Sequence, residues 1–472
     1  MPADKKKWHF GVLSFTGTGH LNPLIALSQE LRDRGHKVTF FEKPKIEARI
    51  RQAGLEFVPV CATDASKRIT PPGANSGLLS EVTMFRFNLA RIIRDMERYL
   101  GDTPAALSHA GVDVLLINEI ALTGPTVAQL LGLPYFIIST SVPHHWGWKG
   151  SSWRTGYRYS DSCLSWIHRR FLEVSVLHMR GPIRRALEKY RHGAGLGKLR
   201  QASASFPALA HITQLPQCLD LPHRAVPSNF YFTAPWVSNA ARPRIAFPWD
   251  RLDGRPIIYA SLGTTRNAES AVLRMIAEAC AGLDVQLVIS LGGRFRSEDL
   301  ADLPGRPLVV EFAPQLELLK IARIVISHGG PNTAFEALMA GKPMIVIPMA
   351  YDQPAIAARL ARLHLAKVLP IMRLSAARIR SSVTALLGNP NYEQAAVAMR
   401  LTLQCLRGSV SASNIIEDAL EQYLDCQRVN AAGKSPNSGD YDLVNNVTVS
   451  RVPKVRDSRV SIAASKSQYS SS

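Results

Sequence analysis

The chain has 472 residues, 46% of them hydrophobic, and a formal net charge of +19 from 56 Lys and Arg against 37 Asp and Glu. It is long enough for two α/β units of ordinary size, and no run of about 18 apolar residues is present to span a bilayer. The six cysteines show no C-x-x-C spacing, which fits a reduced cytosol better than a secreted, disulfide-built fold.

The start, Met1 to Lys7, leads into a strand of under ten residues rather than into a signal peptide. Trp8 to Phe15 reads as that strand. Thr16-Gly17-Thr18-Gly19-His20-Leu21-Asn22-Pro23 follows as a turn, and Leu24, Leu27 and Leu31 mark the inner face of a helix ending at Arg34-Gly35-His36. His20 is therefore expected in the turn at the carboxyl end of the first strand, the edge of an open parallel sheet where ligands bind. An imidazole, with an ordinary pKa of about 6.5, suits removal of a proton from a hydroxyl there. Val112 to Ile117 reads as a further strand, followed by Asn118 and Glu119.

Residues 144–200 hold twelve Lys or Arg against three acidic residues, with Trp146, Trp148, Trp153 and Trp166 among them. Basic residues interleaved with Trp suit an anionic membrane surface, where indoles settle at the headgroups and cations meet lipid phosphates. The same residues suit a Trp-lined pocket under a solvated basic helix, and both readings stand. Nucleic acid is not expected, because no recognition motif accompanies the charge.

Ala-Pro-Trp, Arg-Pro-Arg, Phe-Pro-Trp and Gly-Arg-Pro crowd the stretch from Pro235 to Pro256 and break both periodicities. Residues 236–256 are therefore read as a linker between a first unit, 1–235, and a second, 257–426. The second unit opens with the strand Ile257 to Leu262 and the turn Gly263-Thr264, and a second strand, Val285 to Ser290, ends at Gly292-Gly293. The fold class expected is α/β, with two doubly wound parallel sheets.

Ile324-Val325-Ile326-Ser327 is a short β-branched run, broken at Gly329-Gly330 and followed by the helical Asn332 to Leu338. A helix beginning there aims unpaired N–H groups and its positive dipole end above the glycines, and Gly329 and Gly330 let backbone approach a large anion closely. His328, Asn332 and Thr333 can add hydrogen bonds to phosphate oxygens, and Glu336, one turn on, can accept from ribose hydroxyls. From Cys426 onward large apolar residues are few, and residues 427–472 contain ten serines, the composition of a disordered tail. Its Asp440-Tyr441-Asp442 is read as a chance D-x-D, so no metal site is expected.

Phe312-Ala313-Pro314-Gln315, His328-Gly329-Gly330-Pro331-Asn332-Thr333 with Glu336, and Asp352-Gln353 together resemble the donor motif of the family 1 UDP-dependent glycosyltransferases. Within that family the likeness is to bacterial zeaxanthin glucosyltransferases and their macrolide-glycosylating relatives. It extends over most of residues 8 to 425 and is weakest at 144–210. The resemblance implies the GT-B fold, two facing Rossmann-like domains with the active site in the cleft between them. It implies that Phe312 stacks on uracil, with Ala313 and Gln315 near base and ribose. His328, Asn332, Thr333 and Thr264 would meet the diphosphate, Glu336 the ribose, and Asp352 and Gln353 the hexose hydroxyls. It also places the general base at His20.

This sequence departs from the family in three places. Phe312 replaces Trp, which keeps a stacking face but loses area and an indole donor. Pro331 stands where plant members have Trp. The Asp that orients the base is replaced by Asn118, followed by Glu119. An amide oxygen can hold an imidazole N–H, but it cannot neutralise an imidazolium. Whether Glu119 does so stays open.

The activity expected is inverting transfer of a hexose, glucose for preference, from a UDP-sugar co-substrate to a hydroxyl of a lipophilic acceptor such as a carotenoid or macrolide. It needs no metal or other cofactor. The location expected is cytoplasmic, and peripheral at the membrane on the first of the two readings of residues 144–200. A nucleotide-sugar-binding protein without turnover and a related epimerase are the alternatives.

Overall fold

The computed structural model describes residues 6–61, 78–143, 181–199, 207–220, 226–239, 242–263, 270–293, 295–300 and 302–431. Thr264, residues 144–180, the tail from 432 on and the D-x-D at 440–442 lie outside the described residues.

Seven strands form one parallel sheet: β1 (His9–Leu13), β2 (Lys37–Glu42), β3 (Glu56–Pro59), β4 (Val114–Asn118), β5 (Tyr135–Ser139), β6 (Ala210–Thr213) and β7 (Phe230–Phe232). Their order is β3-β2-β1-β4-β5-β6-β7. Six more form the second: β8 (Ile257–Ser261), β9 (Gln286–Ser290), β10 (Leu308–Val310), β11 (Ala322–Ser327), β12 (Met344–Val346) and β13 (Ala366–Val368), in the order β10-β9-β8-β11-β12-β13. The central strands β1, β4 and β8 are buried at every residue, as expected where helices cover both faces of a parallel sheet. In each sheet the order reverses beside the first strand, with β1 paired to β2 and β4 and β8 paired to β9 and β11. The crevice at such a switch point is where ligands bind.

Four helices matter for the site: α1 (Thr18–Asp33), α2 (Pro331–Met339), α3 (Gln353–Arg362) and α4 (Gly408–Ala431). The first strand is shorter than the expected Trp8 to Phe15, and α1 starts earlier than expected. His20 is thus in the first helical turn rather than in a loop. Gly17 is the N-cap in extended conformation, and Pro23 lies inside α1 as its sixth residue, where its missing N–H leaves the Gly19 carbonyl without its i→i−4 partner.

The division of the chain needs correction at its end. Ala412, Ile415, Ile416, Ala419 and Leu420 of α4 are buried in one core with Phe10, Leu24, Leu27 and Ile212 of the first unit. Arg34 and His36 both reach Glu417 across that contact, at 2.9 and 3.2 Å. The last helix therefore belongs to the first unit's packing, so 257–426 is not one body, and α4 runs past residue 427 to Ala431. The 236–256 stretch is also more than a tether. Trp236 is buried and donates from Nε1 to Thr233, and Ser238 donates to Gln29 of α1 at 2.8 Å. On the opposite flank Arg359 of α3 meets Asp220 in a buried pair at 2.6 Å. Such a pair fixes how the two units dock more than it adds to stability.

The basic segment is visible only at its end. Arg184 and Arg185 are exposed there, whereas Arg191 is fully buried, donating to Thr126, Gln129 and the Gly197 carbonyl. That one cation is internal rather than part of a surface. Among the described residues no helix is long and apolar enough to cross a membrane, and no group of His, Cys, Asp and Glu is arranged to hold a metal ion.

Candidate active site

The amino end of α2 and the amino end of α1 meet across the cleft. Asn332 donates from Nδ2 to the Gly19 carbonyl at 2.5 Å and accepts at Oδ1 from Gln214 at 3.0 Å. The expected phosphate ligand thus stands one residue from His20, although 313 positions separate Asn332 from Gly19. Gly330 is the N-cap of α2 and Pro331 its first residue, where a fixed φ costs nothing and no N–H is lost from the helix. Thr333 completes that first turn, half-buried.

His328 is enclosed between two glycines. A Cβ at Gly330 would lie 2.4 Å from its Nε2, and one at Gly263, whose φ is +84°, would lie 2.7 Å away. Burial pushes the His328 pKa down to about 4, and the Ser261 carbonyl pulls weakly the other way. Nδ1 is buried without a well-aligned hydrogen bond. The side chain is accordingly a neutral imidazole near pH 7. It can donate an N–H to a phosphate, but it does not bring a positive charge.

The residues expected around the nucleoside split into two kinds. Phe312 is 48% exposed and lies against Gly293, where a Cβ would come within 2.1 Å of the ring. That is an open aromatic face on a glycine floor, with Ala313 buried beside it. Gln315 is instead committed inward, accepting from Tyr259 at 3.1 Å and donating to Glu336 at 2.6 Å. It holds Glu336 in place rather than facing a base. Glu336 itself is buried and also pairs with Arg242. Burial pushes its pKa up, against the pull of Arg242 and Gln315.

In the loop before α3, Gln353 Oε1 accepts from the Met349 and Ala350 N–H groups at 2.8 and 2.9 Å. Its carbonyl therefore shapes the loop. Asp352 is the N-cap of α3, half-buried, and follows Tyr351, which holds the strained φ of +56°.

On the other wall, His20 Nδ1 lies 2.7 Å from Thr140 Oγ1, and Asn118 Nδ2 donates to the same oxygen at 3.2 Å. Asn118 Oδ1 is taken by the Ile120 N–H. Asn118 thus reaches His20 through a hydroxyl and not directly. A hydroxyl oxygen accepts two hydrogen bonds, so Thr140 can take the Nδ1–H of His20 together with the Asn118 amide. That tautomer makes Nε2 the acceptor nitrogen of the ring. Glu119 turns toward the neighbouring strand, accepting from Ser139 at 2.6 Å, and its charge bears on His211. Phe15, 49% exposed, stands edge-on to His20 with centroids 5.7 Å apart.

Sequence reasoning missed Thr140, Gln214 and Arg242. Thr140 sits in the polar triplet Ser139-Thr140-Ser141 at the carboxyl end of β5, which was a usable signal. Gln214 and Arg242 gave none.

Residues 12–139 match the glycosyltransferase family 28 N-terminal domain, and residues 274–405 match the erythromycin biosynthesis protein CIII-like C-terminal domain. The chain is 27% identical to a zeaxanthin glucosyltransferase of Pantoea ananas, over 87% of this chain and 96% of that one. It is 24% identical to an oleandomycin glycosyltransferase of Streptomyces antibioticus, over 92% and 95%. Its fold resembles the crystal structure of the glycotransferase of kitacinnamycin, with a TM-score of 0.68 at 23% identity over 88% of this chain and 99% of that one. Two parallel α/β sheets, a helix start from one meeting the Gly19 carbonyl in the first helical turn of the other, and domain matches to glycosyltransferases on both sides of the cleft agree: the chain belongs to the family 1 glycosyltransferases and is a glycosyltransferase of GT-B architecture.

Proposed function

We propose that this glycosyltransferase moves glucose from UDP-glucose to a hydroxyl of a lipophilic acceptor of the carotenoid or macrolide kind, with inversion. The observation that carries the reading is the contact of Asn332 with the Gly19 carbonyl, which brings the α2 helix start and His20 to one point of the cleft. His20 Nε2 takes the acceptor proton as the oxygen bonds to the anomeric carbon, and the bond from that carbon to the diphosphate oxygen breaks on the opposite face. UDP leaves with the electron pair. Its growing charge is met by the free N–H groups of α2, by Asn332 and Thr333 and by the His328 N–H, so the reaction needs no metal.

The zeaxanthin and oleandomycin glycosyltransferases among the relatives support the acceptor class, and Phe15 beside His20 offers an apolar face for it. An acceptor of that kind partitions into lipid, which gives the basic, Trp-rich segment 144–200 a membrane surface as partner. Sedimentation with anionic vesicles that added salt abolishes would support this partner, and equal sedimentation with neutral vesicles would remove it.

The test of the reaction is UDP release from UDP-glucose with and without zeaxanthin or a hydroxylated macrolide, in buffer containing a chelator. Acceptor-dependent release, with an α-linked donor giving a β-linked product, is expected. Release from dTDP-sugars alone would overturn the donor, and loss of release on chelation would overturn the metal-free step.

A further inference from the structure

Arg242 lies in the stretch between the two sheets, where its N–H donates to the Asn239 carbonyl at 3.1 Å and its neighbours Trp236 and Ser238 are fastened to the first unit. From there it crosses to Glu336 of the second unit and pairs with Oε1, while Gln315 holds Oε2. Both side chains are largely enclosed, at 23% and 3% exposure. Arg49 of the first unit stands near enough for its charge to repel that of Arg242, and its own guanidinium donates to Asn22.

A carboxylate offers about four lone pairs on its two oxygens. Arg242 uses one on Oε1 and Gln315 one on Oε2, so one remains on each oxygen. Two acceptors on one rigid group match the adjacent 2′ and 3′ hydroxyls of a ribose. Without Arg242, Glu336 would be a buried carboxyl with a single amide partner, and burial favours its neutral form, which gives up acceptor capacity.

We propose that Arg242 is a positioning residue for the donor: it fixes Glu336 as a two-oxygen acceptor and thereby makes the site select a ribonucleoside over a 2′-deoxyribonucleoside diphosphate. This rests on the donor site proposed above. A site built to hydrogen-bond a hydroxyl rejects the analogue lacking it, because the buried acceptor is left unpaired.

The experiment is calorimetric titration of the full chain with UDP and with 2′-deoxy-UDP, on the parent, Glu336→Ala, Arg242→Lys and Arg242→Gln. The parent should bind UDP about tenfold or more tighter than the deoxy form. Glu336→Ala should bring the ratio near one. Arg242→Gln should reduce it to about threefold or less, and Arg242→Lys should fall between, since an ammonium holds a carboxylate less rigidly than a fork does. A merely structural role would weaken both ligands equally, so an unchanged ratio in Arg242→Gln overturns the inference while leaving the donor site standing. Tighter UDP binding by that variant also overturns it, because Arg242 would then be blocking the site. A parent without discrimination, or a Glu336→Ala that keeps it, removes the ribose assignment itself. Should Arg242→Gln not fold, the Arg242→Lys ratio decides, and equality with the parent overturns the proposal.

Discussion

The two walls of the cleft are built on different terms. On the donor wall, Tyr259, Gln315, Glu336 and Arg242 form an unbroken chain of hydrogen bonds, and His328 is boxed in by glycines. On the acceptor wall, His20 leans on a threonine hydroxyl and an amide, both uncharged, beside an open phenyl ring. The donor wall is thus arranged to hold one ligand in one pose. The acceptor wall holds the proposed base in place and leaves the rest to apolar contact. The proposed reading therefore assigns selectivity to the first wall and rate to the second, and each substitution below tests that division.

The largest effect is expected at His20. His20→Ala should lower kcat by about a thousandfold, the usual contribution of a positioned general base, while UDP affinity stays at the parent value. Kinetics with one accepted substrate, beside calorimetry with UDP, measures both. A fall in UDP affinity as large as the fall in kcat would erase the distinction between the walls.

Next comes the enclosed histidine. The His328 pKa is depressed to about 4 in the folded protein from about 6.5 unfolded, so between these values the unfolded chain binds more protons. Stability should therefore rise with pH from about 4 to about 6.5 and be flat above, as far as this group is concerned. The difference between parent and His328→Gln isolates the group from all other titrations. The parent should lose on the order of 2 kcal/mol more than the variant on acidification across that window. Thermal melts at pH 4.5 and 7 measure it, and parallel losses would show that the ring is not desolvated.

Much of the donor wall was legible because its parts lie in one stretch of chain. Phe312 to Gln353 spans two strands, a glycine turn and three helix starts, and local periodicity fixes where Gly330, Asn332 and Glu336 stand at and on α2. What escaped was every contact that closes over a long separation. Thr140 is 120 residues from His20, Gln214 is 118 from Asn332, and Arg242 is 94 from Glu336. Periodicity says that Ile415, Ile416, Ala419 and Leu420 share a buried face, but not which sheet that face meets. For the same reason the pattern located Asn118 and could not tell that Thr140 stands between it and His20.

Smaller effects follow from that intervening hydroxyl. Thr140→Val keeps the shape and removes the acceptor of the His20 Nδ1–H, so kcat should fall about tenfold with little change in the acceptor KM. Asn118→Asp should act in the other direction. Its carboxylate would accept the Thr140 hydroxyl proton, and the hydroxyl oxygen would accept from His20, which links a negative charge to the imidazolium formed in the transition state. The rate should hold or rise, and the acidic limb of the pH–rate profile, where His20 loses the proton it must lack to act as a base, should move to higher pH. Glu119→Gln should leave kcat near the parent value, since Glu119 is turned to Ser139. A large loss there would move the missing carboxylate to Glu119 and refute the relay through Thr140.

The smallest effect is expected where the donor wall is least enclosed. Phe312 presents about half its surface to solvent above Gly293, so a larger ring at this position can extend outward without displacing backbone. Phe312→Trp adds aromatic area over the base and an indole N–H, and stacking gains of this kind run to about 0.5 kcal/mol for a partly exposed ring. UDP should bind about twofold tighter, with kcat unchanged, because the added contact is made equally before and during the reaction. Calorimetry with UDP and initial rates at saturating UDP-glucose separate the two quantities. Weaker binding would mean that the Gly293 floor leaves no room for an indole and that the pocket is fitted to Phe. A raised kcat at unchanged affinity would place the ring in the transition state's contacts, and the division of labour between the walls would then fail on the donor side.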